Sequence, residues 1–163
     1  DKNIYVGALR EQSGAVSYGG LRRVSWNPLR IELVEPEEAL KKVDTFHGNF
    51  VMVPATLAQS LGGIDGDFGH HMADIDYGVR NTSAGNSNLL LPGTFGTCQP
   101  NDVTAGNIGK VMSEYFGIKG GGHWPTRLRF LKKHSKVPAI FWLACEDLLF
   151  VGKRLRFALR DRA

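Results

Sequence analysis

Residues 62–80 read GGIDGDFGHHMADIDYGVR. The glycine pair Gly62-Gly63 is the kind of stop that follows a helix. A loop over residues 64–72 then gathers Asp65, Asp67, His70 and His71. Residues 74–84 carry helical spacing, and Gly85 ends it. Asp76 and Arg80 stand at i and i+4, so they share one helix face and can pair. Asp74 falls near the helix N-terminus, where free N–H groups and the helix dipole favour a carboxylate. A carboxylate so placed can take a proton from a hydroxyl aimed at it. The plainer reading of the same spacing makes Asp74 a helix cap and Asp76–Arg80 a surface ion pair.

Upstream of this stretch, residues 3–9 (NIYVGAL) form a short β-rich run that ends in a charged turn. Tyr18-Gly19-Gly20 is a break at which backbone can approach a neighbour closely, and residues 31–34 alternate like a strand. Pro36 fits the first turn of a short helix over residues 37–42, with acids first and lysines last. Residues 44–53 (DTFHGNFVMV) predict one strand with Gly48 in its middle, the mark of a bulge or a tight approach. His47 interrupts that strand and is expected to be hydrogen-bonded near a pocket floor. Pro54 opens a helix over residues 55–61.

Downstream, residues 88–91 read as a buried strand and residues 92–107 as loop-rich. Residues 119–122 (KGGG) look like a flexible hinge, and two helical runs follow, over residues 124–134 and 137–160. Strands alternating with helices argue for an α/β architecture. The expected division is residues 1–117 and a Gly-rich loop with a basic amphipathic helical tail over residues 118–163.

The composition is that of a globular protein: 42% of the 163 residues are hydrophobic, which excludes intrinsic disorder. A net charge of +4 is too small to argue for nucleic acid, yet compatible with a phosphorylated substrate. Cys98 and Cys145 form no CxxC pair, so a reducing compartment is the default. Glu146 and Asp147 interrupt the longest apolar run, which is too short to cross a bilayer. The chain opens at Asp1 without a methionine and reads as a piece of something longer.

Gly62, Gly63, Asp65, Phe68, Asp74, Asp76, Tyr77 and Arg80 fall in register with a known pattern. The stretch resembles the second half of the family 2 glycosyltransferases, inverting enzymes with the GT-A fold. It departs at Ala73, where many members have glutamate, and is closer to a subgroup with an H-x-x-x-D-x-D-Y-G-x-R form. Residues 44–49 are similar to the strand that lines the acceptor side, and residues 18–20 to the subgroup's YGG turn. Residues 85–92 match the segment returning to the sheet, and residues 93–101 the turn after it. The likeness spans roughly residues 3–135.

The resemblance implies an α/β fold that is the C-terminal part of a GT-A mixed sheet with appended helices. It implies transfer of a sugar from a nucleotide diphosphate donor to a glycan or other hydroxyl acceptor, with Asp74 as general base. Asp76 would hold the helix start and Arg80, while Gly48 and Asn49 would shape the acceptor side. His70 and His71 would lie on a loop lining the acceptor pocket. A divalent cation, magnesium or manganese, would be bound outside this chain, in the donor half that precedes Asp1, so no metal ligand is assigned here. The isolated chain is then expected to be inactive. The glycine hinge with Lys119, Arg127 and Arg129 would close over the donor's phosphates, since arginine forks suit phosphate oxygens; an ordinary linker with a solvated basic helix is the alternative.

In the tail, Phe141, Trp142, Leu148, Leu149, Phe150, Leu155, Phe157 and Leu159 with flanking arginines suit an anionic membrane surface. A helix packed on the missing half, or a contact between two copies, is the alternative. The expected location is cytoplasmic, with peripheral contact at the inner membrane face. Two other functions stay open: a metal-dependent hydrolase built on His70, His71, Asp74 and Asp76, and a non-catalytic carbohydrate-binding module.

Overall fold

The computed structural model describes residues 2–69, 71–100 and 108–160, with backbone alone at 108, 155 and 157–160. The fold is mixed α/β, and the chain divides into two compact units. The first comprises Asp1–Asp67 and Met72–Asn101, the second Phe68–His71 and Asp102–Ala163.

Two sheets build the first unit. In β1 (Asn3–Arg10) the alternation of the sequence puts Ile4, Val6 and Ala8 at zero exposure, the period-two pattern of a strand with one buried face. One edge of β1 pairs in parallel with β8 (Ser87–Thr97). The other edge takes β2 (Val16–Tyr18) and β7 (Val51–Met52), both antiparallel. On the far side of β8 lies β5 (Lys41–Val43), also antiparallel. A second, three-stranded sheet orders β4 (Ile31–Leu33), β3 (Gly20–Arg23) and β6 (Thr45–Phe46). Val34, Val43, Phe46, Leu57, Tyr77 and Leu90 close the core around the buried residues of β1.

Three expectations are corrected here. Residues 37–42 are not helical: Lys41–Val43 is β5, where the chain gains the ladder to β8 and Val43 is buried in the sheet. The strand over residues 44–53 is two, β6 and β7, in different sheets; the chain leaves the ladder after Phe46, and Gly48 lies in the turn between them. The strand at residues 88–91 runs on through Pro92 to Thr97. Between Val6 and Ala8 the β1 chain advances two residues while β8 advances from Leu90 to Thr94, so Pro92-Gly93 sit in a bulge, with Gly93 at φ 72°.

Two helices complete this unit. The first, α1 (Ala55–Leu61), ends at Gly62 with φ 73°, and α2 (Ala73–Ser83) ends before Gly85 with φ 82°, as the glycines predict. A short 3-10 turn, Gly66–Phe68, leads out of the loop between them.

The second unit is helical: α3 (Ile108–Phe116), α4 (Trp124–His134) and α5 (Ala139–Arg160). Phe68, Phe130, Leu131 and Leu143 are buried in it. Residues 119–122 are not a free hinge. Gly120 N donates to Gly117 O at 2.9 Å and Gly122 N to Tyr115 O at 2.9 Å. A Cβ at Gly122 would lie 2.3 Å from the Tyr115 ring, so this glycine permits close packing. Among the described residues, no helix is long and apolar enough to cross a membrane.

Candidate active site

The acidic start of α2 meets the turn that replaces the expected long strand. Gly48 N–H donates to Asp74 Oδ2 at 2.7 Å, and Ile75 N–H donates to Asp74 Oδ1 at 2.8 Å. A Cβ at Gly48 would lie 3.1 Å from Asp74 Cβ, so glycine lets the turn reach the carboxylate. Each carboxylate oxygen has two acceptor directions and receives one backbone N–H in these bonds. Asp74 is half-buried, so a hydroxyl can reach it from solvent.

Asp74 does not occupy the cap position itself. That position is Met72, held in the left-handed region at φ 68° and buried, with no side-chain capping bond. Its carbonyl accepts the first helical bond from Asp76 N at 2.8 Å. A non-glycine residue in this conformation stores strain of order 1–3 kcal/mol, which the surrounding packing must over-determine. Residue 72 thereby fixes the direction in which α2 presents Asp74.

Asp76 is no surface ion pair. Its side chain has zero exposure, and Arg80 Nε donates to its Oδ2 at 2.8 Å. The remaining guanidinium donors cap the end of α1: Nη1 reaches Leu61 O at 2.7 Å and Nη2 reaches Gly63 O at 2.8 Å. Arg80 also lies over the Tyr77 ring, 4.9 Å from its centroid. One side chain thus satisfies helix-end carbonyls and a buried carboxylate together.

On its other side α2 is seated against β6. Thr45 Oγ1 donates to Ile75 O at 2.7 Å, and a Cβ at Gly78 would lie 2.4 Å from Thr45 Oγ1. Asn88 Nδ2 donates to Gly78 O and Asp44 O, both at 3.0 Å, and Asn81 Nδ2 donates to Asn88 Oδ1 at 2.8 Å. Thr45, Gly78, Asn81 and Asn88 escape sequence reasoning, although a glycine inside a helix pattern is the one visible signal for a close approach.

The turn beside Asp74 carries further expected residues. His47 N–H donates to Gly19 O at 2.9 Å, and its ring meets Tyr18 edge-on at 5.3 Å. Gly19 has φ 153°, and a Cβ on Gly20 would lie 2.7 Å from Val43 Cγ1, which explains the glycine pair of the YGG turn. Asn49 Nδ2 lies 4.0 Å from Cys98 Sγ, while Phe50 stacks on Phe95 at 5.1 Å. The structure therefore brings Asp74, Gly48, Asn49, Asp76 and Arg80 into one region of the first unit.

His70 and the segment over residues 101–107 lie outside the described residues, as do residues 161–163. His71 belongs to the second unit. Arg127, expected on a phosphate-binding loop, is 2% exposed. It pairs with Asp147 Oδ1 at 2.6 Å and donates to Gly122 O at 3.3 Å, so its fork is engaged inside the helical unit. Arg129 lies over the Phe68 ring at 5.6 Å, and Lys119 is exposed. Among the described residues, no three His, Cys, Asp or Glu side chains are grouped to hold a metal ion. Asp76, named for a metal-dependent hydrolase, has its carboxylate engaged by Arg80.

Comparison of the chain with protein-family models, with curated proteins and with solved structures finds no match.

Proposed function

We propose that this chain is the acceptor-side half of an inverting glycosyltransferase of GT-A type, with Asp74 as its general base. The observation that supports this reading is the carboxylate of Asp74, oriented by Gly48 N–H at the entrance to α2 and still able to accept from a hydroxyl. The acceptor hydroxyl hydrogen-bonds to Asp74 and gives it the proton while the oxygen attacks the anomeric carbon. The carbon–oxygen bond to the diphosphate breaks on the opposite face, the electron pair leaves with the nucleoside diphosphate, and the configuration inverts. Water then takes the proton from Asp74.

Asp76 and Arg80 act as positioning residues, because they tie the first turn of α2 to the end of α1. A misplacement of about 1 Å at the base can lower a rate by ~10²-fold, so such positioning matters to turnover. Gly48 and Asn49 face the acceptor in this reading. The divalent cation, magnesium or manganese, belongs to the donor-side half and helps bind the sugar nucleotide's phosphates when present.

The test is glycosyl transfer by the protein that joins this chain to its donor half, offered UDP-, GDP- and dTDP-sugars. Nucleoside diphosphate release that depends on an acceptor, with an inverted product by NMR, is expected. Hydrolysis of a substrate that requires metal bound by this chain alone would favour the hydrolase. Glycan binding by this chain without turnover in the joined protein would favour a non-catalytic module.

A further inference from the structure

The outer face of α5 is apolar and open. At 3.6 residues per turn, Ile140, Phe141, Ala144, Leu148, Leu149 and Val151 fall within one half of the circumference, and between residues 139 and 152 no charged residue falls among them. Leu148 is 74% exposed and Ile140 59%. The opposite face is engaged within the unit. Leu143 is fully buried, Phe150 stacks on Tyr115 at 3.5 Å, and Asp147 pairs with Arg127. Trp142, grouped by sequence with the membrane-facing residues, instead donates from Nε1 to Ser135 Oγ at 3.1 Å.

Basic residues flank both ends of this face. Lys132 and Lys136 precede it and Lys153 and Arg156 follow it, all four exposed, while Lys133 lies over the Phe68 ring at 5.2 Å and Arg154 over the Phe150 ring at 5.5 Å. The acidic residues of α5 are Glu146 and Asp147, which both fall outside the apolar half of the circumference. We propose that the outer face of α5 docks on an anionic lipid surface, with Phe141, Leu148 and Leu149 in the headgroup boundary and the flanking cations on lipid phosphates. An amphipathic helix lies in the interface plane in this way, and long cationic side chains reach back to the headgroups. The charge selects lipid over a second copy: two such faces brought together would set four exposed cations against four of the same sign. The proposal does not depend on the glycosyltransferase reading.

Sedimentation of the full chain with vesicles tests it. Vesicles of equal parts phosphatidylcholine and phosphatidylglycerol are expected to pellet the chain at low salt and release it at high salt, because screening weakens the contact. Pure phosphatidylcholine is expected to pellet far less. Leu148→Glu, at an exposed site, is expected to lower partitioning about tenfold or more with an unchanged circular dichroism spectrum. The double variant Lys153→Gln/Arg156→Gln is expected to lose roughly fivefold per cation removed. The proposal is overturned if the chain stays in the supernatant with anionic vesicles, if neutral vesicles pellet it equally, or if Leu148→Glu pellets like the parent. A concentration-dependent dimer that Leu148→Glu abolishes would assign the face to a second copy and overturn it too.

Discussion

Replacing Arg80 by methionine keeps an unbranched apolar stem and removes the three donor nitrogens that bond here. The lost bonds run to Asp76 Oδ2 at 2.8 Å, Leu61 O at 2.7 Å and Gly63 O at 2.8 Å. The two carbonyls end a helix and can turn to water, so their loss weighs little. Asp76 cannot do so, because its side chain has zero exposure. Breaking a buried ion pair by removing one partner costs about 3–5 kcal/mol, since a charge is left buried. Arg80 is 23% exposed, and water entering its place softens the penalty, so the lower end, ~3 kcal/mol, is the expected loss. For a unit of about a hundred residues this lowers the melting temperature by roughly 12–24 °C, at ~4–8 °C per kcal/mol. Thermal and urea unfolding of the full chain, followed by circular dichroism, measure the change. A double-mutant cycle with Asp76→Asn should give a coupling well above the ~0.3–0.5 kcal/mol of an exposed helix pair. A drop of only a degree or two, or a coupling within that surface range, would refute the reasoning and return the pair to an ordinary surface contact.

Gly78→Ala should destabilise by about 1–3 kcal/mol, read by urea unfolding, because the added methyl would sit 2.4 Å from Thr45 Oγ1 and 2.9 Å from its Cα. Gly48→Ala should leave the melting temperature nearly unchanged yet lower transfer activity of the joined protein, since only Asp74 must give way, at 3.1 Å. Arg127→Met should destabilise by ~3 kcal/mol or more while Lys119→Ala changes stability by less than ~0.5 kcal/mol, because one is buried on Asp147 and the other exposed. Calorimetry of this chain with UDP, GDP and dTDP should show no micromolar binding; such binding would place a donor site within these residues.

Local signals made parts of this fold legible. Gly62 and Gly85 mark helix ends because only a left-handed residue closes them there, and the alternation of β1 marks its buried face. Residues 124–134 were legible as a helix from their spacing and are helical throughout. What failed depended on partners distant in sequence. Nothing near Lys41 announces that β8 will pair with it, and nothing near Pro92 says that β1 tolerates a bulge opposite. The site shows the same division. Spacing put Asp76 and Arg80 on one face, but the burial of Asp76 and the reach of Arg80 to Leu61 O and Gly63 O at the end of α1 are tertiary contacts that spacing does not carry. Arg127 looked like a phosphate ligand because its fork suits one; its partner Asp147 stands twenty residues on, in the next helix.

The central claim is that Asp74 removes the acceptor's proton. Asparagine at this position keeps the shape and an oxygen for Gly48 N–H, and loses the basicity together with the acceptor for Ile75 N–H. Turnover with Asp74→Asn in the protein that joins this chain to the proposed donor half, measured as acceptor-dependent release of nucleoside diphosphate, tests this most directly. Loss of a general base lowers rates by ~10²–10⁴-fold, which is roughly 3–5 kcal/mol of barrier. The account predicts a loss of that order, with the affinity for the sugar nucleotide close to that of the parent and a stability loss of about 1 kcal/mol at most from the Ile75 N–H bond. Near-normal turnover by Asp74→Asn would contradict it and leave Asp74 as a residue that merely completes the first turn of α2.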